Sequence, residues 1–546
     1  MTDAAPAESP ATPSAPARAP SRWSKALPLV LFAVFTGIFA PTTRFEYVWD
    51  DVAELAENPL LHGPFLDGLL AVQSSQMGLA VGEDALLRPR YDSFRPVRFV
   101  SYWLDQVVHG ASPAGSHAQN VLWATLALVL AFLLAREWLR SAPAALAVAA
   151  VFALHPMLVE PVAYVSARSD LLGGVFALAA ALLVVRAVQR EGHGGLARAY
   201  VPAGVLFLLS LASKEANVAL PLVLALFAAS RGRLRAHLLP LSALGLVAVG
   251  WFVLRAQLLR TSGGASPWPA LRDLGSFVFQ YVGAYLLPLD CSIARPLSVA
   301  LPWVGTLLVG ALGLLMCAAA WRDREGLAAK LLPTLAWAVL LLAPSVVAAA
   351  MHETASDRYI YLPSLGFSLA LAELGLHVAP QVRSGLAVMG ACWLVICAAI
   401  TLMLVPTWET QLTLYERAAA VEPGSTRAQY GVGLALARQG DCEGALPYFA
   451  RAAALDSGNA RAWTNQGVCL MRLGNLPAAR AALEGALQAS QGLYAPPWHN
   501  LAEIEFATGN GAAGCAAEQR ALQLQPTYGP AQRNLAAYCV AVGQPD

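Results

Sequence analysis

Charge is what this sequence has little of. Asp, Glu, Lys and Arg make up 13% of its 546 residues, about half the roughly 25% of a soluble chain. A chain so sparsely charged, 57% hydrophobic and with a mean hydropathy of +0.53, must place much of its length in lipid. The net charge is only +1, and without a clustered basic surface a nucleic-acid partner is set aside. The eight cysteines lack CxxC or His-flanked spacing, which removes the usual zinc and haem sites. P-loop, GxGxxG and HExxH motifs are all missing, so nothing points to ATP, a dinucleotide or another cofactor.

What is present is a series of apolar stretches of near-spanning length. They run over 26–42, 118–135, 143–160, 171–187, 200–213, 216–230, 237–257, 302–320, 331–350, 359–376 and 385–405. A twelfth stretch, 277–290, is short and interrupted by Pro288, as suits a re-entrant or interfacial helix. With eleven crossings the basic clusters around Arg22, Arg136, Arg186, Arg231, Arg322 and Arg383 share one side, which the positive-inside rule makes cytoplasmic. A twelfth crossing would put the Arg322, Arg324 and Lys330 loop outside. Residues 1–25, rich in Ala, Pro and Ser, read as a disordered cytoplasmic tail. The apolar run after them lacks a convincing cleavage site and reads as an anchor.

From 408 onward the pattern becomes short amphipathic helices with a period near 34, the tetratricopeptide spacing. Gly433, Gly467, Ala502 and Ala536 fill the small site of one helix, Ala445 and Ala479 that of the other, and Trp463 and Trp498 the aromatic position. The spacing predicts repeats over 426–459, 460–494 and 495–528, flanked by half-units at 408–423 and 529–543. The predicted fold is thus all-α. Its parts are a tail at 1–25, a polytopic membrane domain at 26–406 with an outer loop at 43–117, and a repeat solenoid at 407–546. A solenoid of this kind binds a protein partner or serves as a structural plug. Cys442, Cys469, Cys515 and Cys539 lie in it, where an oxidising compartment would permit a disulfide. The sequence does not pair them.

An odd number of crossings gathers the remaining charged residues on the outer face. Asp50 and Asp51 follow an aromatic cluster; adjacent carboxylates beside a bilayer resist joint ionisation, which suits a general base. A helix cap or a magnesium ligand are the alternatives, the metal not favoured. Arg95 and Arg98 stand where positive charge is disfavoured, which calls for an anionic partner: a lipid phosphate, Asp50 or Asp51. His155, Glu160, Arg168 and Asp170 share one short outer turn, as cavity-lining charges do, although His155 before Pro156 also fits a kinked-helix cap. Lys214 and Glu215 either face a ligand or neutralise one another. Arg358 suits bidentate phosphate recognition. Tyr359 beside it suits a sugar or the membrane edge.

The blocks WDD with NP (Asp50, Asp51, Asn58, Pro59), FRP with HG and H..N (Arg95, His109, His117, Asn120), HP...E with R.D (His155, Glu160, Arg168, Asp170), KE (Lys214, Glu215) and DRYIYLPSLGF occur in this order ahead of the repeats. Together they resemble the transmembrane and tetratricopeptide-repeat O-mannosyltransferases and their bacterial relatives. The resemblance implies a GT-C-like membrane domain that takes a sugar, mannose by analogy, from a polyprenyl-phosphate donor and adds it to a protein hydroxyl with inversion. Asp50 or Asp51 would be the base. Arg95, His155, Glu160, Arg168, Asp170, Lys214, Glu215, Arg358 and Tyr359 would bind the donor phosphate and sugar, and the repeats would recruit the acceptor protein. The array is shorter than in animal members. The Ala-rich, Arg-over-Lys composition points to a bacterial inner membrane, with site and repeats in the periplasm. Competing readings are a same-fold transferase acting on a glycan or lipid, a non-catalytic repeat-bearing scaffold, and a transporter, which should show paired broken helices at mid-membrane.

Overall fold

The computed structural model describes residues 22–66, 69, 94–110, 112–190, 196–259, 268–291, 295–296, 302–352 and 354–539. Residues 1–21 of the expected tail and 70–93 of the outer loop lie outside this set. Residues 22–25, expected in the tail, instead open the first helix, which begins two residues after Pro20.

All eleven expected stretches are helical. They are α1 (Arg22–Phe39), α3 (Pro113–Leu139), the pair α4 (Ala142–Leu154) and α5 (Val159–Ala163), α6 (Arg168–Gln189), α7 (Leu196–Ser213), α8 (Leu220–Ser230), α9 (Leu234–Leu259), α11 (Pro302–Arg322), α12 (Leu327–His352), α13 (Pro363–His377) and α14 (Pro380–Leu404). Helix α2 (Pro96–His109) precedes α3, and α10 (Trp268–Leu286) precedes α11. Among the described residues eight helices are long and apolar enough to cross a bilayer, or nine if the α4–α5 pair counts as one bent span. Helices α8 and α13, of 11 and 15 residues, fall short of the ~20 residues that 30 Å of hydrocarbon requires. The α4–α5 pair bends by 63°. The residue before a proline avoids helical angles, and His155 is extended at φ −77°, ψ 129°.

The stretch expected at 277–290 differs from its sequence reading. Helix α10 begins earlier and ends before Pro288 rather than being broken by it. Along its length it meets helix ends: Gly275 N donates to Thr306 Oγ1 (2.9 Å) in the first turns of α11, Tyr281 donates to the Ser356 carbonyl just past α12, and the Tyr285 carbonyl meets His155 Nε2 (2.8 Å) just past α4. It lies across those ends.

The two ends of the bundle differ in chemistry. At one, Arg186 pairs with Glu137 (3.1 Å), while Arg231 and Arg233 donate to the carbonyls of Trp138 (2.9 Å) and Val188 (3.1 Å). At the other stand the charged residues singled out above. Between them lies an apolar core of Leu, Val, Ala and aromatic side chains in which Trp138 and Trp337 are wholly buried. The only sheet among the described residues is a two-residue antiparallel ladder, Arg295–Pro296 with Thr354–Ala355.

Beyond Trp408 the helices pair antiparallel: α15 (Gln411–Val421), then α16 (Thr426–Arg438) with α17 (Cys442–Leu455), α18 (Ala460–Arg472) with α19 (Leu476–Ala489), α20 (Ala495–Ala507) with α21 (Gly511–Leu524), and α22 (Gly529–Asn534). Ser425, Asp441, Asn459 and Asn475 cap their helices by accepting backbone N–H groups. Within the three pairs the turn carries Gly440, Gly474 or Gly509 at φ +87°, +78° and +85°, backbone that side chains resist. A Cβ on Gly433 or Gly467 would fall 2.8 or 2.7 Å from Phe449 or Leu483, which is why helix partners approach only where these residues are small. Cys515 and Cys539 form a disulfide, the pairing that the sequence left open.

Candidate active site at the charged end of the bundle

The aspartate pair divides into two unlike groups. Asp51 is fully buried; it accepts from Ser166 N and Oγ, both at 2.6 Å, and from Val165 N and Val48 N at 3.4 Å. Burial pushes its carboxyl up to about 7, against the lowering effect of the Ser166 hydrogen bonds. It makes no side-chain cap on the segment that follows it. Instead it fixes the 165–167 turn from across the site. Asp50 is only half-buried and accepts the Tyr164 hydroxyl at 2.9 Å. Trp49 before it holds a left-handed φ of +57°, uncommon for a bulky residue. Its ring stacks on Tyr164 with centroids 5.3 Å apart, and Trp408 stacks on the same tyrosine at 5.5 Å.

Arg358 stands beside this stack. Its guanidinium lies 5.7 Å from the Trp49 ring centre, 5.4 Å from Tyr164 and 5.9 Å from Tyr359, distances typical of cation–π contact. Glu160 anchors it, accepting from the Arg358 backbone N (3.1 Å) and from Ser356 Oγ (2.5 Å), with the guanidinium Nε at 3.8 Å. Lys214 bonds to Asp170 and sits 5.7 Å from the Tyr359 ring centre. Burial and the positive charges of Arg358 and Arg95 lower the Lys214 pKa, against the raising effect of Asp170. A small, open cleft lies here, lined by Asp170, Lys214, Arg358, Tyr359, Leu341 and Tyr361. The Gly173–Gly174 pair lets α6 come this close: a Cβ at 174 would lie 2.8 Å from the Tyr361 ring, and one at 173 would lie 3.1 Å from Lys214 Cβ.

Several expected partners pair otherwise. Lys214 and Glu215 do not neutralise one another. Lys214 turns to Asp170, and Glu215 takes a two-point bond from Arg95 (3.0 and 3.1 Å). Arg95 and Arg98 do not pair with Asp50 or Asp51; Arg98 binds Glu54 at 3.1 Å. Glu215 fills the fork of Arg95, and Arg98 holds both Glu54 oxygens through Nη1 alone. Arg168, expected at the donor, is entirely buried. It pairs with Asp105 (2.7 Å) and donates to Asn120 Oδ1 (2.8 Å) and the Ser116 carbonyl (2.9 Å), a brace behind the site. Asn120 in turn donates to the Tyr164 carbonyl at 3.0 Å. His155 uses Nδ1 on Met157 N (3.3 Å) and Nε2 on the Tyr285 carbonyl, the kinked-helix cap of its alternative reading. Among the described residues no three His, Cys, Asp or Glu side chains converge as metal ligands.

Asp50, Glu160, Asp170, Lys214, Arg358 and Tyr359 therefore meet in one place, joined at one edge by Arg95 with Glu215. Tyr164, Trp49 and Trp408 complete it. Sequence reasoning gave these three no role; Trp49 and Tyr164 are aromatic residues inside the quoted blocks, and Trp408 opens the first half-repeat.

These features define a polytopic helical membrane protein with a charged site at one end of its bundle and a tetratricopeptide solenoid beside that site. The tetratricopeptide repeat family model matches residues 412–460 and 438–493. A Caenorhabditis elegans protein named as a protein O-mannosyl-transferase is 24% identical over 72% of this chain and 58% of its own length. Mouse protein O-mannosyl-transferase TMTC3 is 23% identical over 74% of this chain and 48% of its own, and Drosophila Tmtc1 is 37% identical over 19% of this chain and 12% of its own. The chain is thus a homologue of the protein O-mannosyl-transferase TMTC family, and it spans about half the length of the first two of these relatives. Among solved structures, a tetratricopeptide protein, YrrB, described with an unusual peptide-binding site, matches 40% of this chain at 16% identity with a TM-score of 0.23, too slight a likeness to carry argument.

Proposed function

We propose that the chain is an inverting GT-C-like glycosyltransferase that moves a sugar, mannose by family analogy, from a polyprenyl-phosphate donor to a protein Ser or Thr hydroxyl. The observation that carries this is the pairing of a half-buried carboxylate, Asp50, with the cationic cleft of Arg358 and Lys214 across one aromatic stack. Asp50 Oδ takes the proton of the acceptor hydroxyl. The freed oxygen pair forms the new bond at the anomeric carbon from the face opposite the phosphate. The bond from that carbon to the phosphate oxygen breaks, and its electron pair leaves with the lipid phosphate. Arg358 and Lys214 hold the charge that develops there, the kind of electrostatic term that usually dominates. Leu341 and Leu362 on the cleft wall suit the start of a prenyl chain.

In this reading Asp51, Arg168 and His155 position the site, while Arg95 and Glu215 hold its edge. The domain division remains membrane transferase to about 406 and repeats beyond, with the repeats recruiting the acceptor. A cytoplasmic N-terminus and a periplasmic site in a bacterial inner membrane accord with two observations. Arginines gather at the far end of the bundle, as the positive-inside rule asks of a cytoplasmic end, and the disulfide of the repeat domain belongs to an oxidising compartment.

The test is transfer of radiolabelled mannose from polyprenyl-phosphate-mannose into protein by membranes carrying wild type, Asp50→Asn or Asp51→Asn. Asp50→Asn should lower kcat by about 10²–10⁴, the span of general-base effects. Asp51→Asn should keep more activity and melt earlier. Full transfer by Asp50→Asn would sink the assignment.

A further inference from the structure

A second small cleft adjoins the Glu160–Arg358 pair: Glu160 lines it, while Arg358 lines the cationic one. Its walls come from two parts of the chain. Glu160 and Asp357 belong to the membrane bundle, whereas Trp408, Leu414, Arg417 and Ala418 belong to the lead-in and first helix of the repeats. Its charge also differs from that of its neighbour. Two carboxylates face one guanidinium here, while Lys214 and Arg358 outnumber Asp170 in the other. Lining of that sign disfavours a phosphate or an anionic lipid head group and accepts a neutral or basic chain.

Arg417 supplies the specific feature. Its Nη2 reaches the Leu289 carbonyl at 3.5 Å, but its Nε is buried with no hydrogen-bond partner among the described residues. A buried donor left unpaired costs free energy that an incoming carbonyl oxygen would recover. The cleft is also next to the base: Trp408 lines it and stacks on Tyr164, whose hydroxyl donates to Asp50. The cleft encloses little space and is open to the outside, so an occupant lies along its mouth, as an extended segment does.

We propose that this junction cleft is the acceptor subsite, in which an extended, neutral or basic polypeptide segment lays a main-chain carbonyl on Arg417 Nε and presents its Ser or Thr hydroxyl to Asp50. The proposal rests on the transferase reading and names its acceptor chemistry.

Two readouts on the full chain in detergent separate the two. A fluorescein-labelled Ala/Thr/Pro peptide carrying one lysine is titrated by anisotropy against wild type, Arg417→Gln and Arg417→Lys, and the same peptide is used as acceptor in steady-state transfer. Arg417→Gln should weaken peptide binding and raise the acceptor KM roughly tenfold, the worth of about one lost hydrogen bond, with donor KM and kcat unchanged. Arg417→Lys should recover part of the loss, and exchanging lysine for glutamate in the peptide should weaken wild-type binding. If transfer occurs but Arg417→Gln leaves acceptor KM and binding as in wild type, the subsite is wrong and the transferase reading stands. An effect on donor KM alone gives the cleft to the lipid and overturns the proposal. If Arg417→Gln weakens peptide binding while wild type transfers no sugar, the peptide site stands and the transferase reading falls.

Discussion

Arg168 and Asp105 form the most deeply buried ion pair near the site, both side chains at 0% exposure and 2.7 Å apart. Such a pair adds little net stability over an apolar substitute, but breaking it strands one charge out of water at a cost of ~3–5 kcal/mol. Asp105 also accepts Ser116 Oγ at 2.6 Å, and Ser116 meets the Tyr47 hydroxyl at 2.9 Å. The brace therefore reaches the loop that carries Asp50. Arg168→Gln should lower thermal stability by that amount and reduce kcat, whereas the donor KM, set at Arg358 and Lys214, should change little. A rise in donor KM with unchanged stability would return Arg168 to the donor-binding role first expected of it. At this scale the sequence pointed to residues that the fold brings together, but not to how they pair. Arg95 and Glu215 are 120 positions apart, Glu160 and Arg358 198, and no local periodicity reports such distances. Nor could adjacent letters separate Asp50 from Asp51; the difference arises because Asp51 alone finds the amides at 165 and 166.

Helices were legible wherever an apolar run had spanning length, and the repeats wherever small residues recurred. Helix α10 was misjudged because its first turns, around Trp268–Asp273, are polar enough to hide it in hydropathy. The repeat domain carries its own buried polar element. His499 of α20 bonds to Glu518 of α21 at 2.9 Å and to Glu503 at 3.4 Å. Burial alone would lower the histidine pKa, but the two glutamates outweigh it and raise it to about 9. The folded state therefore holds this proton more tightly than the unfolded one, whose value is near 6.5. The resulting stabilisation is complete below about pH 6.5 and is lost as pH rises through about 9. Melting of the repeat domain in the full chain should fall across that window, and His499→Gln should flatten the slope and lower the melting point at pH 6. An unchanged slope in the variant would place the titrating group elsewhere.

On the scale of the whole molecule, the repeats and the bundle share a wall. Glu46, four residues before Asp50, donates its backbone N to the Glu409 carbonyl at 3.1 Å, and Trp408 closes the stack on Tyr164. His117 adds a contact to the Glu46 carbonyl at 3.4 Å. The loop that carries the proposed base is thus held partly by the segment from which the solenoid grows, so where the chain is cut should matter more than how much is removed. Truncation after residue 424 keeps Trp408, Glu409 and α15 with its Arg417. Such a protein should still hydrolyse donor slowly and glycosylate short peptides, while losing folded acceptors that need the repeat surface. Truncation before Trp408 removes one face of the Tyr164 stack, one wall of the junction cleft and the tie to Glu46. It should lose peptide transfer as well, with kcat falling at least tenfold below the longer truncation, about 1.4 kcal/mol of barrier. Equal activity of the two truncations, measured with the same peptide acceptor, would mean that the repeats act only as a tether and that the bundle builds its active site alone.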